Sequence, residues 1–73
     1  MNNELWRLET GFIVGYTEDK DLIQRILRYK FKKNWRIMAE YYEGKKRKGV
    51  QFKIPIEQRR PAERMFQVKV ISP

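Results

Sequence analysis

Four consecutive bases, Lys45-Lys46-Arg47-Lys48, stand between Gly44 and Gly49. Ammonium and guanidinium groups at this density grip phosphate oxygens, and each neutralised phosphate releases condensed counterions. Arg36 and Lys53 lie close by in sequence, Lys32 and Lys33 end a helical stretch, Arg25 and Arg28 precede them, and Arg59 and Arg60 follow. Tyr42, just before the basic run, offers a ring on which an unpaired base can stack. Cross-strand pairing is the more ordinary use of such a tyrosine, and a solvated basic turn also protects a hairpin edge from aggregation. The expected phosphate-binding set is Lys45, Lys46, Arg47, Lys48, Lys53, Arg36, Tyr42, Lys32, Lys33, Arg25 and Arg28.

Other chemistries find little to work with. The chain has no histidine and no cysteine, which removes nucleophilic triads, thiol chemistry, disulfides and Cys/His zinc sites. The single serine, Ser72, is next to the end of the chain, and the glycines are too scattered for a phosphate cradle. Glu18, Asp19 and Asp21 are oxygen donors of the kind Mg²⁺ prefers, but a helix start accounts for them without a metal. Gln51-Phe52-Lys53 matches only the lysine half of an acid-x-Lys nuclease motif. The expectation is a protein without catalytic residues, metal or cofactor.

Charge gives the direction of the search. Seventeen Lys and Arg oppose nine Asp and Glu, for a net charge of +8. Residues 1–21 hold two bases and five acids, so the whole excess falls after Leu22. Such asymmetry favours a polyanion, DNA or RNA, held through its backbone. Lysines dominate, and they lack the planar fork that reads guanine, so little base specificity is expected. The alternative is a small accessory or inhibitor protein that docks on an acidic surface of another protein, as a monomer or a homodimer. A membrane role is disfavoured because no apolar run approaches the ~20 residues of a span. With no export signal read at the start of the sequence, the expected location is cytoplasmic.

The elements that must position these groups follow from periodicity. The 73 residues suffice for one domain over 1–73. Residues 2–10 alternate loosely, with Trp6 expected to cap an open end of the core. Phe12-Ile13-Val14-Gly15-Tyr16 reads as a strand in the middle of a sheet. Asp19 is placed to cap a helix whose apolar face is Leu22, Ile23, Ile26, Leu27 and Phe31. Lys30 falls on that face by ideal geometry, and Asn34 is a reasonable stop. From Trp35 the period becomes two: Trp35, Ile37, Ala39 and Tyr41 face the core, while Arg36, Met38, Glu40 and Tyr42 face outward. Glu43 to Gly49 reads as a turn, and Val50, Phe52 and Ile54 return along the core. Pro61 opens a short helical turn. A last strand runs through Phe66, Val68 and Val70, with Gln67 and Lys69 outward.

The resulting class is α+β. A small antiparallel sheet of three to four strands carries one main helix on one face, in β-α-β-β-(short α)-β order, either ferredoxin-like or simpler. This order and the Lys48-Gly49 strand start resemble the RNA recognition motif, which stacks bases on aromatics at the third and fifth positions of that strand. Here those positions are Val50 and Phe52, which alternation turns to the core. The resemblance is one of topology.

Overall fold

The computed structural model describes residues 3–33 and 35–71, with Glu9 and residues 30–33 described by backbone alone. The expectations for the side chains of Lys30, Phe31, Lys32 and Lys33, and for Asn34 and Ser72, lie outside the described residues. In chain order the elements are β1 (Asn3–Glu9), β2 (Phe12–Thr17), α1 (Lys20–Lys33), β3 (Arg36–Glu43), β4 (Lys46–Pro55), a 3-10 turn (Ile56–Gln58), α2 (Arg59–Phe66) and β5 (Val70–Ile71). The fold is α+β. Its sheet has five strands in the order β3-β4-β2-β1-β5, all neighbours antiparallel except β1 and β5.

Two expectations change here. The stretch before α1 makes two strands rather than one, because Gly11 at φ 91° closes a tight hairpin between β1 and β2. A left-handed φ of this kind costs glycine little. The β2-α1-β3-β4-α2-β5 segment retains a β-α-β-β-α-β order, but β1 is inserted between β2 and β5. A plain ferredoxin-like sheet would make those two neighbours. The mixed five-stranded sheet follows from that insertion.

Both helices pack on one face. Leu22, Ile23 and Ile26 of α1 and Ala62 and Phe66 of α2 share one buried cluster with Leu5, Ile13, Val50, Phe52, Ile54 and Trp35. The shortest dimension of the molecule, 19 Å, is that of one sheet and one layer of helices, each ~10 Å deep. α1 starts as its sequence dictates: Asp19 Oδ1 accepts from the amides of Asp21 at 2.9 Å and Leu22 at 3.4 Å. Asp19 N–H in turn donates to Thr17 Oγ1 at 3.0 Å, and that buried hydroxyl donates to Asn3 Oδ1 at 2.5 Å. Asn3 Nδ2 reaches Phe66 O at 3.1 Å. One polar chain thus joins β1, β2 and the ends of both helices.

α2 is longer than the expected single turn. It begins at Arg59, so Pro61 falls in the first turn, where no amide has an intrahelical acceptor to lose. Phe66 ends α2 rather than opening a strand, because Gln67 takes a left-handed conformation at φ 59° and stops the helix. The final strand is therefore only Val70–Ile71, and Gln67 and Lys69 are not part of a sheet face.

Candidate nucleic-acid interface

Among the described residues, no helix packs on the sheet's second face. Cross-strand partners share a face, so the pairings identify its residues. Trp6 pairs with Val14, Glu4 with Tyr16, Val14 with Lys53, Tyr16 with Gln51, and Lys53 with Arg36. This open face therefore presents Trp6, Phe12, Tyr16, Lys53 and Arg36 around a fully buried Val14. Trp6 does not cap the core. It covers Val14 on the far side of the sheet.

Two bulges decide which residues of the second hairpin join this face. Ile37 pairs with Phe52 and Ala39 with Gln51, which leaves Met38 as an extra residue on β3. One extra residue reverses the phase of everything that follows. Arg36 faces outward as expected, but Ala39 and Tyr41 join it, while Glu40 and Tyr42 turn to the helix side. The second bulge lies on β4 at Lys48, between the pairs Tyr41–Gly49 and Tyr42–Arg47. The expected place of Tyr42 on the outer face is thus corrected. Tyr42 sits at the sheet edge on the helix side, 59% exposed, and Tyr41 takes the outward place.

Tyr41 is held there by Tyr16. Their ring centroids are 5.8 Å apart at 72°, an edge-to-face contact. The Tyr16 ring in turn rests on Gly49, where an added Cβ would meet its hydroxyl at 2.5 Å. Tyr16 Oη donates to Glu18 Oε2 at 2.7 Å. That bond, burial and the negative charge of Glu18 push the phenol from 10.0 up to about 12. Glu4, Trp6, Tyr16, Tyr41 and Gln51 line a shallow hollow of about 280 Å³. Beside it, Phe12, Arg36, Lys53 and Pro55 line a second depression. The Lys53 ammonium lies 4.3 Å from the Phe12 ring centroid, a cation–π contact that holds its charge at the sheet surface.

The basic run is not a loop. Only Gly44 and Lys45 form the turn, because Gly44 at φ 65° supplies the left-handed residue a tight hairpin needs. Lys46, Arg47 and Lys48 belong to β4, with Lys46 opposite Glu43. Lys45, Lys46 and Lys48 are exposed. Arg47 is not equivalent to them, since its Nη1 pairs with Glu40 Oε2 at 3.0 Å. The two bulges together put both Glu40 and Arg47 on the helix side, where they meet.

Arg25 and Arg28 are exposed on α1, in the helix layer and away from the open face. With Tyr29, Pro61, Arg64 and Met65, Arg25 lines a groove between α1 and α2 of about 410 Å³. The expected set therefore divides. Arg36, Lys53 and the basic hairpin belong to one hairpin, and Arg25 and Arg28 form a separate helix-side surface. Reading by sequence missed Trp6, Tyr41, Gln51 and Arg64. A strict alternation could place Trp6 opposite Leu5, but nothing in one dimension marks which strand face is left bare.

Glu18 and Asp19 are engaged as hydrogen-bond acceptors. Among the described residues no group of three acidic side chains is arranged to hold a metal ion. No described helix is long and apolar enough to cross a membrane. Comparison with protein-family models, curated proteins and solved structures finds no match, so a functional reading rests on the geometry of this chain itself.

Proposed function

We propose that this chain is a non-enzymatic nucleic-acid-binding protein that grips phosphate backbone through its second hairpin. The observation that supports this most is the Arg36–Lys53 pair. These two bases are direct cross-strand partners on the sheet face without helices. A guanidinium and an ammonium on adjacent strands of one face can both donate to the same phosphate group. Lys45, Lys46 and Lys48 continue the positive surface along the same hairpin. Contacts of this kind follow the backbone and do not read sequence.

The test is the salt dependence of binding to an oligonucleotide. Replacing Lys45, Lys46 and Lys48 with Gln together should flatten the slope of log K against log salt by roughly two to three, at about 0.7–0.9 per phosphate contact. An unchanged slope would remove the hairpin from the site. A second reading, docking on an acidic protein, draws on β3. It is the outer strand, and Ile37, Met38, Tyr41 and Tyr42 along it are all at least 44% exposed. Absence of any nucleic-acid binding at low salt would favour that reading.

A further inference from the structure

We infer that the open sheet face takes single-stranded nucleic acid, with an unpaired base bearing an exocyclic amino group seated in the hollow between Trp6 and Tyr41. This rests on the nucleic-acid reading above and specifies its ligand. A phosphate grip alone treats single strands and duplexes alike. Aromatic rings lying on a bare sheet do not, because the faces of duplex bases are covered by their neighbours and only unpaired bases can offer them.

The hollow is built for a base rather than for a phosphate. Tyr41 is 44% exposed yet fixed edge-on to Tyr16, so its ring is presented without free rotation. Trp6 is half-buried over Val14, with its indole at the rim of the same hollow. The non-aromatic side chains lining it are Gln51 and Glu4. An amide both donates and accepts, whereas a carboxylate only accepts. Glu4 repels phosphate but suits the amino groups of cytosine, adenine or guanine. Thymine and uracil have two carbonyls and a single N–H, so they satisfy this pair less well. Arg36 and Lys53 lie next along the same face, where the phosphate of the seated nucleotide or its neighbour emerges.

The experiment measures affinity for oligodeoxycytidine, oligodeoxyadenosine and oligothymidine of equal length, an oligoribocytidine, and a DNA duplex, all at one salt concentration. The expected order places the cytosine and adenine strands above thymidine by on the order of tenfold, with the duplex weakest. Comparison of the two cytosine strands distinguishes DNA from RNA as the source. Tyr41→Leu and Trp6→Leu should each lower single-strand affinity by about tenfold while leaving the salt slope unchanged, which a general loss of charge contacts would not do. Glu4→Gln should remove the preference for cytosine over thymidine. Tyr41 and Glu4 are exposed, so those variants test the idea even if Trp6→Leu fails to fold.

Equal binding of strand and duplex, with Tyr41→Leu and Glu4→Gln silent while the lysine variant still flattens the salt slope, would overturn the base pocket and keep the phosphate grip. No binding of any nucleic acid would overturn both.

Discussion

Phe66 lies directly over Gly15. A Cβ at Gly15 would stand 2.6 Å from Phe66 Cζ and 3.0 Å from Leu5 Cδ2. The last residue of α2 therefore rests on the backbone of the central strand, which is why α2 can follow the sheet so closely. Gly15→Ala should destabilise the fold by about 1–3 kcal/mol through overpacking, measured as a lower urea midpoint. Phe66→Leu should cost less in the Gly15→Ala background than alone, because it vacates the crowded space. Additive costs would show that the ring is free to move aside.

Tyr16 and Glu18 make a pH-sensitive contact beside the site. The phenol ionises near 12 in the fold, against 10.0 without these surroundings, chiefly because its O–H is donated to Glu18. The raised value means that the fold favours the protonated phenol. Its contribution to stability is complete below pH 10 and disappears as pH rises through about 12. Ultraviolet titration of tyrosinate should show one late-ionising group, which Glu18→Gln should bring back toward the others. An unchanged late group in that variant would assign the shift to another cause.

Glu63 ties the final strand to α2. Its Oε2 accepts from the Val70 amide at 3.0 Å and from Arg59 Nε at 3.3 Å. The Val70 amide, and then Arg59, hold the carboxyl below its ordinary value of 4.5 against an opposing effect of burial. Here the fold favours the charged form. The contribution to stability is present above the ordinary carboxylate value and is lost as pH falls through the lower value in the fold. Hydrogen exchange at Val70 should accelerate on acidification, and Glu63→Ala should reproduce that loss at neutral pH. Protection at Val70 that withstands both changes would mean β5 is held by its pairing with β1.

The elements that obey a single period were legible in the sequence. Asp19 as a cap, Leu22, Ile23 and Ile26 as a buried stripe, and Val50, Phe52 and Ile54 as a buried strand face all follow from spacing and stand in the structure. The site was harder because one inserted residue governs it. A bulge at Met38 leaves no mark in the alternating residues, yet it exchanges the faces of Tyr41 and Tyr42. The bare face was illegible for a different reason. Whether Trp6 covers the core or the open side depends on where both helices pack, which is a property of the chain in three dimensions. Trp35 remains an oddity, since its buried Nε1 has no hydrogen-bond partner among the described residues.

The Glu40–Arg47 pair makes the basic run unequal, and that inequality is measurable. Arg47 is half-buried against Glu40 at 3.0 Å, whereas Lys46 and Lys48 are exposed. To contact a phosphate, Arg47 must give up a partner worth about 0–1 kcal/mol at a surface, and the released Glu40 would then repel the same phosphate. Lys46→Gln should therefore lower the salt slope by close to one full contact, about 0.7–0.9. Arg47→Gln should lower it far less. Glu40→Gln should do the opposite, steepening the slope by freeing Arg47 and strengthening binding at low salt. Equal losses for Lys46→Gln and Arg47→Gln, with Glu40→Gln silent, would show that the ion pair opens when the strand arrives and that the run acts as four equivalent charges.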